Sequence, residues 1–391
     1  MQNQNSAPRV AIACGGTGGH LFPGVAVAAE LRRRGCAVTL LISPKEVDQT
    51  AVKGATDFQI ATLPAVGLSR GGGLAFVRGF ARSYRAASRL FKTERPEAVL
   101  AMGGFTSAPP VLAGKARGAP TFLHESNAIP GRANRWLSWV VSQAFVGFAE
   151  ASARLHTRQV KTTGTPVRPQ FQSADTAACR QALGLDPQRP VLLVTGGSQG
   201  ASGLNDAVIA TLPRLAKLLP ELQLFHLTGP NDEQKVAQAC ASNQINAVVR
   251  PFFAEMHVPL GAATVAISRA GASSLAELAA MRVPAILIPF PAAMDNHQFY
   301  NASAFKKTGA ACLLPQTEAS PELLAERVVE LISNASAREK MRAALEQWHS
   351  PRAAGEIAES IMQAITARRR AAGVAKMPAS PNLQNRQTAI T

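Results

Sequence analysis

No apolar run in this 391-residue chain approaches the roughly 18 residues a helix needs to cross a bilayer. The longest candidates, such as Ala285-Ile286-Leu287-Ile288-Pro289, have the length of strands. The opening segment, Met1 to Pro8, is polar and carries no apolar signal core. Cysteine is sparse: Cys14, Cys36, Cys179, Cys240 and Cys312 are odd in number, scattered, and without metal-ligand spacing. That pattern argues against structural zinc and a disulfide framework, and it points to a reduced cytosol. No short internal repeat is visible.

A uniform basic charge is missing too. The net charge of +16 is concentrated: residues 1–160 hold 19 Lys/Arg against 8 Asp/Glu, while residues 161–365 hold 17 of each. The last 26 residues add five basic side chains and no acid. A nucleic-acid-binding protein would more naturally be basic throughout. The asymmetry instead directs an anionic surface or substrate to the N-terminal half.

What is present is a hydrophobic content of 47%, enough for a globular chain, and a length that suits two domains. Two glycine-rich turns each follow an apolar strand pattern. Val10 to Cys14 runs into Gly15-Gly16-Thr17-Gly18-Gly19-His20, and Val191 to Thr195 runs into Gly196-Gly197-Ser198-Gln199-Gly200. A strand, a glycine turn and a helix place backbone N–H groups and a helix N-terminus where they can face an anion. Strands are expected near 9–14, 37–42, 97–102, 120–123 and 143–147, then near 190–195, 222–227, 246–249, 264–267, 284–288 and 311–314. The repeated strand, turn and helix predict an α/β protein of two doubly wound domains facing a cleft. The expected division is 1–162, 163–350, a C-terminal helix over 351–366 that packs back on the first domain, and a basic disordered tail over 367–391. Beyond Glu322 the pattern is helical to about Thr366.

Between Leu74 and Lys92, Arg78, Arg82, Arg85, Arg89 and Lys92 recur at helical spacing on one stripe. Phe76, Phe80, Tyr84 and Phe91, with Val77, fall on the opposite face and are expected in the core. An ordinary surface helix and a helix whose arginines meet anionic headgroups share this packing. The preceding Arg70-Gly71-Gly72-Gly73 reads as a mobile loop. Trp136 and Trp139 are expected in the core.

The order of motifs resembles the MurG family of UDP-N-acetylglucosamine transferases, which complete the lipid-linked disaccharide of bacterial peptidoglycan. The matching segments are Gly15 to His20, Met102-Gly103-Gly104-Phe105-Thr106-Ser107, His124-Glu125-Ser126-Asn127-Ala128, Gly164-Thr165-Pro166-Val167-Arg168, Gly196 to Ala201, Arg269 to Glu277, and Asp295 to Ala302. The resemblance implies the GT-B architecture, with two Rossmann-like domains, the acceptor on the first and the donor nucleotide on the second. It implies an inverting transfer from UDP-N-acetylglucosamine to the muramoyl 4-hydroxyl of undecaprenyl-pyrophosphoryl-N-acetylmuramoyl-pentapeptide, at the cytoplasmic face of the plasma membrane. No cofactor, metal or nucleic acid is expected; the chain holds no Asp-x-Asp pair of the kind metal-dependent transferases use. The alternative is another GT-B enzyme, a soluble glycosyltransferase or UDP-sugar epimerase, which would need no arginine stripe. A basic nucleic-acid-binding protein is the remote alternative and leaves Glu277 and Gln298 unexplained.

Carried onto this chain, the resemblance implies roles residue by residue. Inversion in one displacement needs a base, with His20 the first choice and Glu125 the alternative. Donor contacts are implied for Thr17, Gly18, Gly19, Asn127, Arg168, Ser198, Phe253, Ala272, Ser273, Ser274, Leu275, Ala276, Glu277 and Gln298. Among these, Glu277 matches the carboxylate on the ribose hydroxyls, and Gln298 the amide on the transferred sugar, where an amide can both donate and accept. Gly103 and Gly104 are implied at the acceptor pyrophosphate, and Arg78, Arg82, Arg85 and Arg89 at the membrane surface. Three positions depart from the family: Ser126 and His297 stand where glutamine is common, and Phe253 where an aliphatic residue is.

Overall fold

The computed structural model describes residues 7–16, 18–45, 49, 58–64, 73–197 and 200–374. Thr17, Ser198, Gln199, residues 70–72 of the glycine loop and residues 375–391 of the expected tail lie outside them.

Apolar, β-branched runs buried on both faces are the signature of parallel strands covered by helices. Val10–Ala13, Val38–Ile42 and Val191–Val194 are such runs, each almost wholly buried. They organise two parallel sheets. The first holds β1 (Arg9–Ala13), β2 (Ala37–Ile42), β3 (Gln59–Thr62), β4 (Ala98–Ala101), β5 (Thr121–Glu125), β6 (Gln143–Val146) and β7 (Val160–Thr162). Its order is β3-β2-β1-β4-β5-β6-β7. The second holds β8 (Val191–Thr195), β9 (Gln223–Leu227), β10 (Asn246–Arg250), β11 (Val265–Ser268), β12 (Ala285–Leu287) and β13 (Cys312–Leu313), in the order β10-β9-β8-β11-β12-β13. Strand order reverses between β1 and β4 in one sheet and between β8 and β11 in the other. In open α/β sheets the crevice beyond the strand ends at that reversal is where ligands bind.

Two strands, β3 and β7, were not expected from the sequence. They are the two edges of the first sheet; β3 is mostly exposed and β7 only three residues long. Neither carries the continuous apolar run that marks the others.

The helix Gly73–Thr93 corrects one expectation in detail. Its buried stripe is Gly79, Ser83, Ala87 and Phe91: the first three are small and let it approach the helix Ala108–Lys115, and Phe91 fills the core as expected. Phe76, Phe80 and Tyr84 are only half-buried along the flank, and Val77 is 61% exposed next to Leu74 at 76%. Arg78, Arg82, Arg85, Arg89 and Lys92 all face outward.

The chain passes between the domains twice. Gly164 takes a left-handed φ of 78°, and a Cβ there would stand 2.1 Å from Ser350 Oγ, so the two passages lie directly on one another. Trp348 then stacks on Phe305 with centroids 4.3 Å apart and donates from Nε1 to Thr308 Oγ1. The final helix, Ala353–Val374, crosses back to the first domain and packs on the helix Gly18–Arg33 through Ile357, Ala358, Ile361 and Ile365. It extends eight residues into the segment expected as tail. Arg369 there pairs with Glu97 (2.6 and 2.7 Å), and Arg368 donates to the Arg117 carbonyl.

Candidate active site in the interdomain cleft

The chain beyond β1 and β5 meets the start of the helix after β11 and the segment before residue 301. His20 lies in the first turn of the helix Gly18–Arg33, half-buried beside the loop after β4. That loop runs through Gly103 at φ 123° and Gly104 at φ 76°. A Cβ on Gly103 would stand 2.8 Å from His20 Cδ2 and Nε2, so the imidazole rests against bare backbone. Ser107 Oγ ties the loop down by donating to the carbonyls of Ala13 and Gly103, and Thr106 Oγ1 donates to Gly15 O at 2.7 Å.

Glu125 is buried at the end of β5, and both its carboxylate oxygens are occupied. Oε1 accepts from Asn127 N (2.8 Å) and Asn127 Nδ2 (3.0 Å); Oε2 accepts from Gly131 N and Asn134 Nδ2 (both 2.9 Å). Burial holds its carboxyl above the ordinary value, against the opposing pull of these four donors. A carboxylate so filled holds the turn 125–131 in shape. Its neighbour His124 is held well below the ordinary histidine value, at about 4, by burial. Its Nε2 lies 3.1 Å from Gly164 O and its Nδ1 3.2 Å from Ser126 Oγ, the pattern of a neutral ring bracing the passage between domains.

On the second domain, the helix Ala272–Ala280 points its N-terminus into the cleft. The N–H groups of Ala272, Ser273 and Ser274 precede its first intrahelical bond and are the donors such a terminus offers. Ser273 Oγ reaches across to donate to Gly19 O at 2.9 Å, so the N-termini of two helices meet here. Ala272 and Leu275 are turned into the core, leaving backbone rather than side chain from those positions. Phe253, just beyond β10, packs edge-on against Phe225 in the middle of β9 (5.6 Å).

Glu277, one turn into that helix, faces Arg168 at 3.6 Å. Burial raises the Glu277 carboxyl to about 7 against the opposing pull of Arg168. The Arg168 guanidinium lies 4.2 Å from the ring centroid of Phe22 in the first domain and 4.9 Å from that of Phe171. Its Nε is buried without a hydrogen-bond acceptor, and its buried Nη2 has only the Glu277 carboxylate, at the long distance of 3.6 Å. Desolvated guanidinium N–H groups are the usual partners of phosphate or carboxylate oxygens.

Gln298 differs from expectation. Its Oε1 already accepts from Ala270 N (3.2 Å) and Phe290 N (3.0 Å), so only the amide NH2 is left to address a ligand. Asn127 is similarly committed: Nδ2 donates to Glu125, and Oδ1 accepts from Asn301 Nδ2 at 3.1 Å. Asn301, fully buried, also accepts from Ala128 N at 2.8 Å and donates to Ala270 O at 3.1 Å. It clasps the two domains together.

The family models decide what this arrangement is. The glycosyltransferase family 28 N-terminal domain matches residues 10–146, and the family 28 C-terminal domain matches residues 191–361. The chain belongs to glycosyltransferase family 28. It is 38% identical over 344 residues to the UDP-N-acetylglucosamine–N-acetylmuramyl-(pentapeptide) pyrophosphoryl-undecaprenol N-acetylglucosamine transferase of Pelobacter propionicus, covering 83% of this chain and 90% of that one. The protein of the same name from Anaeromyxobacter sp. strain K is 36% identical, covering 92% and 94%. Among solved structures, MurG of Acinetobacter baumannii superposes with a TM-score of 0.71 at 27% identity, over 92% of this chain and all of that one. The GT-B architecture expected from the motifs is therefore the observed one, and the chain is a hexosyltransferase.

Three features escaped sequence reasoning. Trp136 and Trp139 are 48% and 68% exposed rather than in the core, with Trp139 stacked on His156 at 4.0 Å. Phe22 and Phe171, which sandwich Arg168, lie outside every glycine turn. Arg132 and Arg135 pair with Asp295 across the cleft, at 3.2 and 3.1 Å. Asp295 stands inside a quoted motif, yet nothing in the order of residues shows what it faces.

Proposed function

We propose that this chain transfers N-acetylglucosamine from UDP-N-acetylglucosamine to the muramoyl 4-hydroxyl of undecaprenyl-pyrophosphoryl-N-acetylmuramoyl-pentapeptide, with inversion, in peptidoglycan synthesis. What carries this reading is the identity of 36–38% over most of the chain to transferases of that name. His20 is the base that takes the 4-hydroxyl proton as oxygen attacks the anomeric carbon. Its support is its place in the cleft, with the ring seated on Gly103, whereas the Glu125 oxygens are already filled. The anomeric carbon passes through an oxocarbenium-like transition state while charge grows on the leaving UDP. The N-terminus of Ala272–Ala280, the glycine turn after β8 and Arg168 stabilise that charge. Glu277 accepts from the ribose hydroxyls, and the Gln298 NH2 donates to a hydroxyl of the transferred sugar. Thr17, Gly18, Gly19, Ser198 and the backbone at Phe253 complete the donor site, and Gly103 and Gly104 lie toward the acceptor pyrophosphate.

Among the described residues no helix is long and apolar enough to cross a membrane. The exposed Leu74 and Val77, with Arg78, Arg82, Arg85 and Arg89 along the same helix, support peripheral contact with an anionic membrane, at its cytoplasmic face.

The direct test is transfer of labelled sugar from the UDP donor to a short-chain analogue of the lipid-linked acceptor, with UDP-glucose and UDP-N-acetylgalactosamine as controls. Selective transfer is expected. His20→Ala is expected to lower turnover about 10²–10⁴-fold while UDP binding changes less than about twofold. Turnover close to wild type in that variant would remove His20 from the base role.

A further inference from the structure

The segment Met294–Asn301 belongs to the second domain yet is gripped at both ends by the first. At its leading end Asp295 Oδ1 accepts from Arg132 Nη2 and Oδ2 from Arg135 Nη2, so two guanidinium groups of one short helix, Arg132–Leu137, share one carboxylate. At its far end Asn301 clasps Asn127 and Ala128. Gln298 lies between the two grips.

The backbone between them is unusual. Asp295 and Asn296 are consecutive non-glycine residues in the left-handed region, at φ 51° and 53°. Residues hold that conformation only where their surroundings fix it. Within its own domain the turn is closed by Asn296 N to Ala293 O and, across Asp295 and Asn296, by His297 N and Nδ1 on Met294 O. What restrains Asp295 from outside its own domain is the pair of arginines. Immediately after the turn comes the helix His297–Lys307, whose second residue is Gln298.

We propose that Asp295 is a positioning residue for donor-sugar selection: through Arg132 and Arg135 the first domain sets the turn that aims the Gln298 amide. This rests on the reading of Gln298 as the sugar contact. Sugar recognition then depends on the two domains being together, whereas the ribose and diphosphate contacts at Glu277 and the helix Ala272–Ala280 do not pass through this segment. UDP and UDP-N-acetylglucosamine therefore separate the two effects.

Calorimetric titration of the full chain with each nucleotide tests the inference, using Asp295→Asn, the double variant Arg132→Gln/Arg135→Gln, all three changes together, and Gln298→Ala. Asp295→Asn is expected to weaken UDP-N-acetylglucosamine binding about three- to tenfold, the range open to half-exposed ion pairs, and UDP binding less than twofold. The double arginine variant should match it, and the triple variant should be no weaker than either, because all three act through one contact. Equal losses for both nucleotides, additive losses in the triple variant, or no loss at all would each overturn the inference. A Gln298→Ala variant that keeps full UDP-N-acetylglucosamine affinity would bring down the underlying sugar assignment and the inference with it. If Gln298→Ala loses that affinity and Asp295→Asn does not, the inference alone falls.

Discussion

The Glu277 carboxyl is poised near neutrality, raised by burial to about 7 despite Arg168 at 3.6 Å. In the free enzyme at pH 6 it is mostly protonated, and ribose hydroxyls that donate to it favour the charged form. Affinity for UDP-N-acetylglucosamine, whose diphosphate diester does not titrate in this range, should rise about tenfold from pH 6 to pH 8. Glu277→Gln should flatten that profile; a slope that survives in the variant would place the titration elsewhere. The same raised value makes Glu277 a group whose contribution to folding stability declines as pH rises from 4.5 through 7, since the native state holds its proton longer than the unfolded chain does. Residue types at the candidate site were legible in the sequence: Gly103, His20, Glu125 and Gln298 stand at strand or helix ends, and Glu277 one turn into a helix. Their orientations were not. That both Glu125 oxygens are filled, and that Gln298 can only donate, follows from how the chain folds back to bring in N–H groups such as those of Gly131, Phe290 and Ala270.

At the scale of single elements, the helix Gly73–Thr93 shows what amphipathic spacing can and cannot tell. The arginine stripe was legible because charge must stay in water. The buried stripe was not, because close packing on the helix Ala108–Lys115 selects Gly79, Ser83 and Ala87, residues that a hydrophobic pattern overlooks. Phe91 is buried as expected, while Phe76, Phe80 and Tyr84 are displaced to the flank and Leu74 and Val77 to the exposed first turn. If that face meets anionic lipid, Arg82→Gln/Arg85→Gln should cost about 2 kcal/mol, roughly thirtyfold in partitioning to vesicles containing anionic lipid. Transfer to a water-soluble acceptor analogue should be unchanged. Equal vesicle binding by variant and wild type would return the helix to an ordinary solvated face. The central strands were legible for the opposite reason: covered on both sides, they are apolar without interruption. The edge strands β3 and β7, relieved of that demand, carried no such mark.

Across the whole molecule, the two sheets bring their points of strand reversal to one cleft, and the domains are joined both by polar clasps (Ser273 with Gly19, Asn301 with Asn127 and Ala128, Asp295 with Arg132 and Arg135) and by apolar packing of Phe148 on Phe305 and Trp348. The more permanent tie is the final helix, whose Ile357, Ile361 and Ile365 complete the first domain's core alongside Val27 and Leu31. Ile361→Ala should destabilise the protein by about 2–5 kcal/mol, measured by thermal or denaturant unfolding. A loss below about 1 kcal/mol would mean the helix contributes little to that core.

That tie also sets an order on synthesis. The ribosome finishes the first sheet at Thr162, but the helix that covers its outer layer begins only at Ala353. At about 5–20 residues per second, the intervening stretch takes roughly 10–40 seconds to make. Throughout that interval the nascent first domain displays an apolar flank that no part of its own sequence can cover. The earliest-made domain is thus the last to be finished.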